Sequence, residues 1–544
     1  MQEIIRPLVA AEGDSRKRTI STDDVKLEIA RKAEDERQTV KKKCRGRLIA
    51  LKLDGVTRLG RGFLGINVQL ITSGKIELIT LGVIELTDRL TGAYLANVTK
   101  EVLHSFGIHL LQVYSITIDN GKNMLKLAEL LQKEQAQLQA VTGGVNQNDR
   151  EGRGQGEEEI EDEDESEEEK ELEELNEDQD LAEEEIAESD EDTVFILALE
   201  DCARLLSEEH SLCAFQLSTI RCAAHCLNLA VKETLKSKTL AAFLTEVRKL
   251  CKKLRTPNIA KLLRQEGLRV PQLDCETRWN STSEMVLLLK NFVLEKSRKF
   301  KKIAFSARDF DKLEDVLKCL RAARDLCRKL QVEQLVMGDF FGMWLKCKMD
   351  TMKVNLPLAK TLVSRMEFRE TDLFQNPAFV SSLYLDPRYF TLLPEEARTI
   401  AENHLVKTWA RLEQLREEQT ALNTANRATC AAATTLVATT PAATAVEKET
   451  EPEDVDELEY LLRASDAQRR LSLAGQPKRD ILPLLRQFQT TPRIPKSENL
   501  LHFWESKKCS MPELYELSTV VHADPPTDVS YRRTFSIKTT FLKN

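Results

Sequence analysis

No run of about twenty apolar residues occurs in the 544-residue sequence, which argues against a helical membrane span. Aromatic residues make up only 6% while charged residues reach 31%, so part of the chain is expected to stay outside any packed core. The 12 cysteines, scattered from Cys44 to Cys509, form no regular disulfide framework, and the opening MQEIIRPLVAAEGDSRKR turns charged too soon for a secretory signal. A reduced, intracellular compartment is the expectation. No repeat of solenoid length is visible either. What is present is apolar content of 42%, ample for burial, in a chain long enough for two to four folded units.

Charge is distributed unevenly. Residues 157–192 hold 24 Asp or Glu and one basic residue, Lys170, a local charge of −23. Subtracting it from the whole-chain −9 leaves +14 for the rest. A basic body with an acidic segment is the electrostatic footprint of a protein that handles nucleic acid. The tract reads either as a solvated loop or as a DNA mimic that attracts basic partner proteins. Arg16–Arg18 and the run KKKCRGR from Lys41 to Arg47 have the composition of nuclear-import signals, and equally of solvated basic arms.

Two short runs stand out. LIALKLDG (48–55) ends a strand pattern on Asp54, and VYSITIDN (113–120) ends another on Asp119. Between them, FLGINVQLI and KIELITLGVIEL alternate as strands, and GAYLANVTKEVLHSFG is helical up to Gly107. The β-β-β-α-β-α order predicts an α/β layer in which the fourth strand returns beside the first and brings the two carboxylates to one edge. Such a pair suits a divalent-metal phosphoryl-transfer site. Alternatively, each Asp caps a strand-to-loop turn.

The fold class expected is α/β plus α. Its parts are a basic arm and helix (1–45), the first part of a mixed-sheet core (46–140) and an acidic insertion expected to be disordered (141–192). A return strand and helix (193–235), an all-α stretch (236–420), an Ala/Thr-rich linker (421–454) and a C-terminal block (455–544) follow.

Several stretches together resemble the hAT transposase superfamily: LDGVTR, SITIDNGKNM, RCAAHCLNLAVKETL, LDCETRWNSTSEMVLLL and SLYLDPRYF, then LLHFWESKKCSMPELYEL followed by PTDVSYRRTFS. The resemblance implies a ribonuclease-H-like core interrupted by a large all-α insertion domain and closed by a C-terminal dimerisation block. It also implies cleavage and joining of DNA by three acidic residues with Mg²⁺ or Mn²⁺. Asp54 and Asp119 fall on the first two acidic positions. The third falls on Arg532, beside the matching Phe535 and Ser536, and a guanidinium there puts a cation where a cation must bind. Val56 and Leu90 replace residues usual in the family, and no Cys/His cluster accompanies Cys44 before residue 45, where relatives often carry a BED-type zinc finger. The resemblance is thus to a decayed or domesticated copy.

By the same resemblance Cys222 and His225 lie beside the active site, Arg278 meets phosphate, and Trp279 stacks on an extruded base. On their own residues, Cys222, His225 and Cys226 also read as a metal group or as a buried helix start, and Trp279 as a core anchor. Phe503, Trp504, Leu514, Leu517 and Phe535 are the expected dimer or C-terminal packing residues. Three functions follow as expectations: a nuclear, dimerising DNA-binding protein without cleavage activity, a working Mg/Mn-dependent transposase with another Glu as third ligand, or an interaction protein acting through its acidic tract.

Overall fold

The computed structural model describes residues 22–58, 60–143, 215–265, 267, 269–274, 279–296, 307–332, 334–435 and 480–527. The acidic tract, Arg278, Arg532, Phe535 and Ser536 lie outside the described residues.

Helix α1 (Thr22–Cys44) carries Asp23 and Asp24 in its first turn and Lys41, Lys42 and Lys43 in its last, the charge order a helix dipole favours. It is longer than the short helix expected around VKLEIARKAEDE. Three strands follow, β1 (Ile49–Arg58), β2 (Arg61–Thr72) and β3 (Lys75–Leu86). The β2–β3 hairpin closes on Ser73 and Gly74 with φ of 50° and 68°, the two left-handed residues that a tight turn matched to strand twist requires. Helix α2 (Gly92–Ser105) is capped by the Thr91 side chain and ends before Gly107, whose φ of 64° turns the chain toward β4 (Val113–Ile118).

Helix α3 (Lys122–Gly143) follows, and the short β5 (Ser218–Arg221) completes a five-stranded sheet in the order β3-β2-β1-β4-β5. β1, β2 and β3 pair antiparallel, while β1, β4 and β5 run parallel. The sheet is therefore mixed, with β4 beside β1.

Helices make up the remainder: α4 (Ala223–Leu235), α5 (Lys238–Leu254), α6 (Pro257–Gln265), α7 (Trp279–Lys296), α8 (Ala307–Lys329), α9 (Met337–Met352), α10 (Pro357–Gln375), α11 (Pro377–Tyr384), α12 (Glu395–Thr435), α13 (Leu482–Phe488), α14 (Leu500–Lys507) and α15 (Pro512–Val521). Helix α12 corrects the expected linker boundary at 420/421. It continues to Thr435 because the segment is rich in Ala, the strongest helix former, and its first Pro stands only at 441.

Residues Met1–Gln135 and Phe215–Asn544 form one compact unit. In it one apolar cluster joins the sheet residues Leu48, Tyr114 and Ile220 to Leu320, Trp344, Phe379, Trp504 and Val521 of the helices. Described residues 136–143, the end of α3, are assigned to a second unit. Among the described residues no helix is long and apolar enough to cross a membrane.

Candidate functional site

Asp54 faces Gly65 across the β1–β2 ladder, and the parallel register runs Ala50 to Ser115 and Lys52 to Thr117. Continued by two residues, that register sets Asp54 level with Asp119, just past the end of β4. Both are half-buried. The next strand contributes as well. Ile118 pairs with Arg221, and the Cys222 amide donates to the Ile118 carbonyl at 2.9 Å. Cys222 is buried at the start of α4, with half-buried His225 in its first turn. The expected strand end at Asp54 is corrected, since β1 stays paired with β2 to Arg58. Asp54, Asp119, Cys222 and His225 lie where the parallel pairing of β1, β4 and β5 stops, the side on which α/β sheets place their ligands.

The Asp119 carboxylate also accepts a hydrogen bond from the Gly121 amide at 3.0 Å, closing the turn into α3. Next to it, the Asn120 side-chain oxygen is buried without a hydrogen-bond partner. Oxygen donors of this kind suit Mg²⁺ or Mn²⁺. The set is incomplete, however. No group of three or more His, Cys, Asp or Glu able to hold a metal is found among the described residues. Cys222, His225 and Cys226 form no such group among the described residues. Burial pushes the Cys226 thiol up.

Behind the edge, one sheet face is polar despite being buried. Side chains alternate along strands, so Lys52, Asn67, Gln69, Ser115, Thr117 and Ser218 share that face, all less than a tenth exposed. Residues 523–526, which follow α15, lie across it. Gln69 donates to the Ala523 carbonyl at 2.8 Å, Thr117 to the Pro525 carbonyl at 2.7 Å, and Ser115 to the Asp524 carboxyl. The Pro526 carbonyl accepts from the Ala223 amide at 2.8 Å. Asp524 is fully buried, and burial raises its carboxyl well above the usual carboxylate range. Sequence reasoning passed over this face. Its signal was there in the alternation Ser115, Thr117, Asp119 within a strand otherwise apolar.

The other expected site residues sit elsewhere. Trp279 begins α7 at 3% exposure inside the apolar cluster, so its ring has no face open to a base in this conformation, and the core-anchor alternative describes it. Phe503, Trp504, Leu514 and Leu517 are buried within the chain. Trp504 stacks on Phe488 with ring centroids 5.2 Å apart and donates to the Leu385 carbonyl at 3.0 Å.

The SLYLDPRYF stretch builds a second charged cluster. The Arg388 guanidinium holds Asp386 at 2.7 Å and Asp339 of α9 at 2.7 Å. Those carboxylates hold its pKa above the ordinary range against the opposing effect of burial. Gly338 makes room for it: a Cβ there would meet the Asp386 carboxylate at 1.9 Å.

Residues 220–321, from the end of β5 through most of α8, match the ZBED1 RNase-like helical domain. No curated protein matches the chain. The domain match supports an hAT-related, transposase-derived origin.

Proposed function

We propose that this is a transposase-derived nuclear protein that keeps a ribonuclease-H-like scaffold, binds duplex DNA, dimerises through its C-terminal block and no longer cuts strands. The observation that carries the reading is the sheet edge. A mixed β3-β2-β1-β4-β5 sheet with Asp54 on β1 and Asp119 just past β4, level across neighbouring parallel strands and followed directly by the matched helical domain, is the arrangement such an ancestor requires. Loss of cleavage rests on the sequence, where Arg532 occupies the third acidic position and puts a positive charge against the metal. The +14 carried outside residues 157–192 supports DNA as the partner, and the basic run Lys41–Arg47 supports nuclear import. In this reading Phe503, Trp504, Leu514 and Leu517 shape the block through which two copies meet.

The test is binding of the full chain to labelled duplex DNA across a salt series. A logarithmic affinity that falls linearly with the logarithm of salt supports the reading, and absence of binding at low salt removes it. Light scattering reads the dimer in the same samples.

A second reading, an active enzyme, is favoured by one observation: the unpartnered Asn120 oxygen beside Asp119. There Asp54, Asp119 and Asn120 would hold Mg²⁺ or Mn²⁺, which activates a water or hydroxyl and stabilises the leaving oxygen. The −23 of residues 157–192 supports a further role, in which the tract competes with DNA or receives basic proteins. Deleting it should then tighten DNA binding and steepen its salt dependence.

A further inference from the structure

We infer that the outer face of α5 and α6 is a phosphate-backbone surface for duplex DNA, carried on the helical part of the chain. It rests on the DNA-binding reading above and gives that reading a location.

Both helices are sharply two-sided. Phe243, Leu244, Val247, Cys251 and Leu254 of α5 and Ala260 and Leu263 of α6 are buried, which turns the remaining positions to solvent. Beside exposed Glu246 and Leu262, those positions hold several cations. Lys252, Lys253, Arg255, Lys261, Arg264 and Arg269 are all exposed. None makes a salt bridge or side-chain hydrogen bond among the described residues. The described acids of this stretch are already taken: Glu246 pairs with Lys249 at 2.9 Å, and buried Asp274 is held by Arg248 at 2.8 Å.

On other helices several exposed lysines are neutralised locally. Lys346 and Lys353 share Asp350, Lys312 pairs with Asp309, and Lys318 pairs with Glu314. Six exposed cations with no ion-pair partner among the described residues depart from that pairing. The helix dipole accounts for Lys252 and Lys253 in the last turn of α5. It does not account for Arg255, for Lys261 in mid-helix or for Arg269 beyond α6.

The chemistry selects the ligand. Flexible Lys and Arg on exposed helix faces neutralise phosphates, contacts that position a duplex without reading its bases. Residues 249–269 contain no Phe, Trp or Tyr, so the stacking platform that single strands need is missing. Helix α6 alone runs about 13 Å at ~1.5 Å per residue, enough to follow several phosphates of one strand.

The experiment compares the full chain with a variant carrying Lys252→Gln, Lys253→Gln, Arg255→Gln, Lys261→Gln and Arg264→Gln, by anisotropy of a labelled random-sequence duplex over a salt series. At about 0.9 for each phosphate no longer neutralised, the slope of log affinity against log salt should flatten by up to about 4.5, with affinity falling at least about tenfold at moderate salt. A control with Lys346→Gln and Lys353→Gln should leave both values near those of the parent chain. Lys252→Arg with Lys253→Arg and Lys261→Arg should also retain binding, since the charge persists. If the parent chain binds duplex and the five-fold variant matches it, or if the control weakens as much, the surface assignment is overturned while DNA binding stands. A parent chain that fails to bind duplex removes the DNA reading itself. A variant that keeps duplex binding but no longer binds polyglutamate makes this a surface for acidic proteins and overturns the proposal.

Discussion

Two groups of acids in this chain are treated in opposite ways. Asp386 and Asp339 close on a single guanidinium that is 5% exposed, with every strong partner inside the protein. Asp54 within β1 and Asp119 just past β4 stand half-buried, and the register sets them level with each other. Asp54, Asp119 and Asp386 all lie in stretches that resemble one family, and short motifs alone do not separate them. Burial and position in the fold do. A charged group whose partners are all internal supports the fold, whereas carboxylates at the carboxyl edge of a parallel sheet stand where such folds meet their ligands.

The largest effect should come from breaking the internal group. Arg388→Met leaves Asp386 buried and unpaired, and should lower stability by ~3–5 kcal/mol, read as a fall in the urea midpoint. A loss below ~1 kcal/mol would mean the network is not holding α9 to this segment. Gly338→Ala should follow at ~1–3 kcal/mol, because its Cβ must displace the Asp386 carboxylate.

Acid should find the next weakness. Burial lowers the pKa of both His404 and His522 to about 3, from an ordinary 6.5. Unfolded, each takes a proton near 6.5 while the folded form refuses it. Their contribution is therefore intact above that pH and is lost as pH falls toward about 3, at up to ~1.4 kcal/mol per histidine per pH unit. Asp524 works in the other direction. Its carboxyl is raised, so the folded state holds a proton the unfolded chain releases, and stability declines as pH rises above the ordinary range near 3.8. Asp524→Asn, which can still accept from Ser115, should raise the urea midpoint at pH 8 and leave it nearly unchanged at pH 3. A lower midpoint at pH 8 would show that the carboxylate is needed charged.

The smallest change in stability should be at the sheet edge. Asp119→Asn keeps an oxygen for the Gly121 amide and should shift stability by no more than ~0.5 kcal/mol. A loss as large as that of Arg388→Met would erase the distinction between the two groups.

Much of the sheet was legible because strand alternation and a helix stop at Gly107 leave local marks, and a parallel return of β4 beside β1 follows from the element order. The placing of Asp54 with Asp119 at one edge was legible for the same reason. The internal network was not, since the 339 to 388 contact depends on how α9 packs, and Gly338 reads from sequence as an ordinary helix residue. The polar face under residues 523–526 was equally hidden, because its partners are more than 400 positions away. Helix α12 ran past its expected end because Ala content outweighed the Thr residues among it.

The most direct test of the whole reading is a nicking assay on supercoiled DNA with the full chain and Mn²⁺. If Arg532 replaces the third acid, as proposed above, the chain should bind the plasmid and leave it uncut. Nicks that appear with Mn²⁺ and vanish in Asp119→Asn would mean that a complete acidic site survives, and that this protein is a working transposase.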